Sequence, residues 1–169
     1  KIKILSLNDF PAIVSPKESG NSFVKNAKIK SYYGYKKFGI PCFADDSGIC
    51  ISALKNNPGV HSKKFLEKFK NKKQLFDFII KKTKLHNNTN AFFETSICLT
   101  TKLNHFVFFQ GKSKGSIAEK PKGLNGFGYD PIFIPNDNNI TFAEMSTNQK
   151  NILSHRSIAI NKLINFLVS

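Results

Sequence analysis

The 169 residues contain no tryptophan, one methionine, one arginine and three cysteines. Acidic side chains are scarce as well, 11 against 26 basic ones, for a formal net charge of +15. No apolar run approaches the roughly 20 residues that a helix needs to span a bilayer. The opening KIKILSLNDFP is too short and too interrupted to be read as a signal peptide. The cysteines, Cys42, Cys50 and Cys98, form no Cys-x-x-Cys pair, which argues against a metal or disulfide framework. All three lie in apolar, strand-like runs, as expected of buried free thiols in a reducing cytoplasm. The basic excess would suit a polyanion. Yet the lysines are scattered in a chain also rich in Asn, Ile and Phe, as an AT-rich genome would encode, so the footprint of a nucleic-acid surface is weak. No membrane partner and no dedicated nucleic-acid partner are expected.

With 40% hydrophobic residues the chain can bury the core of one domain over 1–169. IKILSL reads as a short strand. NSFVKNAKIKSYYGYKKFG reads as a helix capped by Asn21 or Ser22 and stopped by Gly39 and Pro41. Two strand-like runs follow, Cys42–Ala44 and Ile49–Ile51, split by an Asp-Asp-Ser-Gly turn. NKKQLFDFIIKKTK is an amphipathic helix with Leu75, Phe76, Ile79 and Ile80 on one face. NAFFETSICLTT and NHFVFFQGKS are antiparallel strands, and EKPKGLNGFGYDPIF is a long loop. The segment from Ser146 to the C-terminus reads as one helix with Ile152, Ala159, Leu163 and Leu167 on its buried stripe. The order predicts an α/β domain with a mixed sheet.

Three constellations carry chemistry. Asp45 and Asp46 stand side by side in apolar sequence, where desolvation and mutual repulsion oppose double ionisation. A hard cation such as Mg²⁺ would offset that, since it takes few carboxylates plus water and phosphate oxygens. A surface turn of common Asp-Ser-Gly composition would also account for the pair. In GLNGFGYDPIF, Phe127 and Tyr129 offer flat faces on which a base could stack, and Asp130 could accept from ring N–H groups. A purely structural glycine-rich loop fits equally. Near the last helix, Lys150, His155 and Arg156 could hold an anion or a carbonyl, or be a solvated basic face. Arg156 is the single arginine among 26 basic residues, which points to a need for a planar, forked donor.

SGNSFVKNAKIK, FADDSGICISALKNNPGVHS, NGFGYDPIFIP and TFAEMSTNQKNILSHR, taken in this order, resemble the inosine triphosphate pyrophosphatase family, enzymes that hydrolyse deaminated purine nucleoside triphosphates. The likeness runs from about Ser6 to the C-terminus. It implies an elongated, two-lobed α/β fold with a central cleft, usually a homodimer. It implies Asp46 as the catalytic carboxylate, with Glu18 and Asp45 joining it at Mg²⁺. Ser47, Asn26 and Lys30 match residues facing the substrate, and Phe127, Gly128, Tyr129 and Asp130 match the base-binding loop. Lys150, His155 and Arg156 match residues that hold the substrate and recognise the purine. The chain departs from the family pattern at Lys25, where an acidic residue is common, at His61 for a usual Tyr, and at Lys64 for a usual Arg. It also starts at what looks like the family's second strand. A first β-α unit of roughly 20–25 residues, with a Thr/Ser-x-Asn-x-x-Lys turn that cradles phosphate, is expected upstream.

The reaction implied is hydrolysis of ITP, dITP or XTP to the monophosphate and pyrophosphate. Lys30 and Lys150 would neutralise phosphate charge, and Arg156 would read the oxygen at C6 of the purine. The alternatives are an impaired member of the family and a basic nucleic-acid-binding module, whose binding would be salt-dependent and indifferent to the carboxylates.

Overall fold

The computed structural model describes residues 2–169. Helix α1, Phe23–Phe38, begins where the Ser22 side chain accepts from the Lys25 N–H and ends at Gly39, whose φ of 68° places it in the left-handed region. Strand β1 follows as Cys42–Ile51, then the short β2, Asn57–Pro58, and the short helix α2, Ser62–Glu67. Helix α3, Lys72–Leu85, is capped by Asn71. Strands β3, Asn90–Lys102, and β4, His105–Ile117, form a long hairpin. After the glycine-rich loop come β5, Phe133–Pro135, and helices α4, Thr147–Leu153, and α5, His155–Val168. No helix among the described residues is long and apolar enough to cross a membrane.

The five strands form one sheet in the order β2-β1-β3-β4-β5. The α/β class holds, but every pairing among the described residues is antiparallel, where a mixed sheet was expected. Although α3 connects β2 to β3, the returning chain pairs β3 beside β1 in the opposite direction. Helix α1 packs on one face, where Ser31 Oγ and Thr100 Oγ1 lie 2.8 Å apart. Helix α5 packs on the other, where Ala159 and Leu163 meet Ile97, Leu99 and Phe109. A second core gathers around Ile49, Ile51, Leu75, Ile79, Phe93, Phe133 and Phe142. Strands β3 and β4 run through both cores, so one pair of strands joins two lobes.

Three expectations need correction. Residues 2–7 form no strand; a short 3₁₀ turn capped by Ser6 covers Leu7–Asp9, and Ile2, Ile4, Leu5 and Leu7 are exposed, with no strand pairing to them among the described residues. The Asp-Asp-Ser-Gly segment is not a turn but the middle of β1, paired residue for residue with β3 from Cys42 to Ile51. The last helix is two, because Ser154, with ψ of 142°, leaves the helical region and caps α5 by accepting from the Ser157 N–H. That break turns Ile152 outward, 77% exposed instead of buried.

Candidate active site

In a strand, successive side chains point to opposite faces, and this separates Asp45 from Asp46. Asp46 points toward α1 and is 7% exposed. Asn26 Nδ2 donates to its Oδ2 at 3.1 Å, and Lys30 Nζ to its Oδ1 at 3.0 Å. Asn26 and Lys30 are four residues apart, hence on one side of α1. Lys30 also pairs with Glu18 Oε1 at 3.2 Å. The Glu18 segment is tied in because the Gly20 N–H donates to Asn26 Oδ1 at 2.8 Å. A Cβ at Gly20 would lie 2.6 Å from that oxygen, so glycine is needed for the approach. Burial raises the Asp46 carboxyl above its ordinary value, against the lowering by Lys30 and Asn26.

Asp45 points to the α5 face. Ser47 Oγ donates to its Oδ2 at 2.9 Å, and Arg156 Nη2 approaches the same oxygen at 3.4 Å. The two carboxylates therefore do not share a cation. Each has its own positive partner, and the structure does not bring Asp45 together with Glu18 and Asp46, the three residues expected at one metal. Glu18 and Asp46 do converge on one cation, the Lys30 ammonium, a donor set that fits a hard metal completed by water and phosphate oxygens. Among the described residues no three His, Cys, Asp or Glu side chains gather into a metal cluster.

On the α5 face a cleft of about 730 Å³ is lined by Ser47, Ile49, Phe127, Lys150, His155 and Arg156, among others. Gly126 and Gly128, with φ of 74° and 60°, let the loop fold back on itself. Asp130 does not face the cleft as a free acceptor. Its Oδ2 takes the Phe127 N–H at 2.7 Å and Lys150 Nζ at 2.5 Å, which closes the loop internally. Tyr129 is not a stacking platform either: it is buried, and its hydroxyl donates to the Ser62 carbonyl at 2.7 Å. Phe127, 63% exposed, is the loop aromatic open to a ligand. Lys150 Nζ lies 5.0 Å and Arg156 Cζ 5.7 Å from its ring centre. A Cβ at Gly128 would meet nothing within 4 Å, which leaves the loop's backbone open there.

His155 opens α5 and stacks on Phe93 with ring centres 4.7 Å apart and planes 9° from parallel. Its Nδ1 is buried without a hydrogen-bond partner. Burial, with Arg156 and Lys150 nearby, lowers its pKa to about 3 from 6.5. The ring is thus neutral at physiological pH and carries one donor and one acceptor. The unfolded chain protonates this histidine below 6.5 and the folded chain does not until about 3. Its contribution to stability is therefore complete above 6.5 and is lost as the pH falls toward 3. Asp46, shifted upward, acts with the opposite sign. The expected slope from His155 is about 1.4 kcal/mol per pH unit. Urea unfolding of the parent and of His155→Phe, which keeps the stack but cannot titrate, measures it; equal slopes in the two proteins would refute it.

Three positioning residues escaped the sequence reading. Ser62 Oγ donates to the Gly59 carbonyl at 2.7 Å and accepts the Ile49 N–H at 2.9 Å, which satisfies an edge of β1. Phe93 supports His155, and nothing in its apolar strand marks it. Gly111 lets α5 touch β4: a Cβ there would lie 2.0 Å from the His155 carbonyl oxygen. An isolated glycine in a strand is a sign of such close approach, and it was there to be read.

Residues 1–166 match the Ham1 family. The chain is 37% identical over 166 residues to a dITP/XTP pyrophosphatase of Christiangramia forsetii, covering 98% of this chain and 87% of that one. It is 39% identical over 165 residues to the dITP/XTP pyrophosphatase of Flavobacterium psychrophilum, covering 98% and 86%. Among solved structures, a HAM1 protein from Coxiella burnetii superposes with a TM-score of 0.85 at 34% identity, over 92% of this chain and 81% of that one. A nucleoside-triphosphatase / dITP/XTP pyrophosphatase from Mycobacterium abscessus gives 0.78 at 36% identity, over 98% and 85%. Family match, relatives and structures agree, and the chain belongs to the Ham1 family.

Proposed function

We propose that the chain is a nucleoside triphosphate pyrophosphatase for deaminated purine nucleotides, ITP, dITP and XTP, cutting between the α- and β-phosphates to leave the monophosphate and pyrophosphate. One observation carries the reading. Strand β1 presents a buried carboxylate with a lysine on one face and an aromatic cleft with a neutral histidine and an arginine on the other. On this reading the phosphates of the nucleotide lie toward Lys30 and its base in the cleft.

Glu18 and Asp46 would hold Mg²⁺, which supplies charge neutralisation to the phosphates when bound. Asp46 accepts a proton from the attacking water or orients it, and its burial raises its basicity. Lys30, paired here with Glu18 and Asp46, would turn to the phosphates once those carboxylates hold the metal and there stabilise negative charge on the departing pyrophosphate. Lys150, held by Asp130 beside the Phe127 ring, belongs to the base side. Phe127 stacks on the purine. Ser47 holds Asp45, and Asp45 in turn orients Arg156. The guanidinium and His155 face the oxygen at C6 of hypoxanthine or xanthine. Adenine presents an amine there, which sets donor against donor, a mismatch costing about 1–3 kcal/mol. Arg156→Lys keeps the charge but not the fork. It is expected to reduce the preference for ITP over ATP, as a ratio of kcat/KM, by about tenfold. A variant that keeps full discrimination would move recognition to the backbone of the Gly126–Asp130 loop.

A further inference from the structure

The charges that line the cleft do not cancel. Among the described residues, Lys63, Lys150 and Arg156 face it, with Asp130 as the one lining carboxylate. Asp130 is taken by Lys150, and both side chains are largely buried. Arg156 lines the cleft and leans on Asp45, which lies just outside the lining. His155, at the cleft wall, is neutral. Lys63 is left as the lining cation with no ion pair among the described residues. Its neighbours do not neutralise it: Glu67, one turn on in α2, makes no ion pair with it among the described residues, and Lys64 and His61, the latter just before the helix, add no negative charge. The backbone beneath it is fixed. Ser62 is 7% exposed, accepts the Tyr129 hydroxyl at its carbonyl and binds Gly59 and Ile49 through its own hydroxyl. An exposed ammonium is thereby anchored by its main chain to the wall that also carries the base loop.

We infer that Lys63 is a specificity-determining residue that makes the cleft favour an anionic purine, xanthine, over neutral hypoxanthine. This rests on the functional reading above. The chemistry lies in the bases. The 2,6-dioxo ring of a xanthine nucleotide gives up a ring N–H proton near neutral pH, and the resulting charge spreads from that nitrogen over the carbonyl beside it and the fused ring. Hypoxanthine, with one carbonyl, keeps its proton well into the alkaline range. A cation without a partner gains a charge-assisted contact with the first base and only a dipole contact with the second. Lys150 and Arg156 discriminate less in this respect, since each already faces a carboxylate.

The test measures dissociation constants of XMP and IMP by calorimetry, for the parent, Lys63→Gln and Lys63→Arg, at mildly alkaline and mildly acidic pH. In alkaline buffer Lys63→Gln is expected to weaken XMP relative to IMP by about fivefold. Lys63→Arg should retain the parent ratio. In acidic buffer, where xanthine is neutral, the parent and Lys63→Gln ratios should converge. An XMP to IMP ratio untouched by Lys63→Gln overturns the inference. So does an effect of equal size at both pH values, which would reveal a contact blind to the charge on the base. Hydrolysis of ITP and XTP by the parent is followed alongside. If neither is cleaved, the functional reading fails, and the ratio of monophosphate affinities still decides the role of Lys63.

Discussion

Replacing Asp46 with Asn is expected to lower metal-dependent pyrophosphate release from ITP by about three orders of magnitude, with the protein still folded. Asparagine matches the carboxylate in shape but cannot take the proton of a water molecule, and it is a poor ligand for a hard cation. The effect on stability is the balance of two terms. Asp46 is buried and its carboxyl is raised by that burial, so neutralising it relieves desolvation. Against this, the new amide would turn a donor toward Asn26, whose own amide nitrogen already points at Asp46. If Asn26 flips to accept, it loses its bond from the Gly20 N–H. Each broken contact costs about 1–3 kcal/mol, comparable to the relief, so the midpoint of thermal unfolding should move by only a few degrees. Repulsion from Asp45 plays no part, because that residue lies on the other face of β1. Turnover within tenfold of the parent would remove Asp46 from the reaction.

Gly111→Ala is expected to be as damaging by a different route. The added methyl would sit 2.0 Å from the His155 carbonyl oxygen, 2.7 Å from the Ala159 nitrogen and 3.0 Å from the His155 carbonyl carbon. All three atoms are backbone, so no side chain can swing aside. The first turn of α5 must lift from β4, and the contacts of Ala159 and Leu163 with Ile97 and Phe109 open with it. Overpacking of this kind costs about 1–3 kcal/mol or more. The stack of His155 on Phe93 and the approach of Arg156 to Asp45 depend on the same turn. The Michaelis constant for ITP should therefore rise by about tenfold or more even where the variant is folded. Thermal unfolding and initial rates check both effects; a variant with parental stability and KM would show that α5 is not held to β4 at this point.

Much of the fold was legible because its signals are local. A side-chain cap at Ser22 and a glycine beyond Phe38 bound α1. Asn71 and the apolar positions 75, 76, 79 and 80 delimit α3 and its buried face. The long hairpin follows from β-branched and aromatic runs around a two-residue turn. The four motif segments, and the lone arginine among many lysines, were likewise present in the order of residues alone. Their assignment to faces was not. Read as a turn, Asp45 to Gly48 looked like a pair of carboxylates awaiting one cation. Paired with β3 as a continuous strand, the same residues alternate, and each carboxylate finds its partner far along the chain, Asp46 at Asn26 and Lys30, Asp45 at Arg156. Tyr129 and Asp130 looked like ligand-facing groups until Ser62, Phe127 and Lys150 satisfied them internally. Caps and periodicity act over a few residues and are written in neighbouring positions. Burial, pairing and the choice of face depend on which distant segments reach the same place, and packing of α1 and α5 on opposite sides of the sheet decided those.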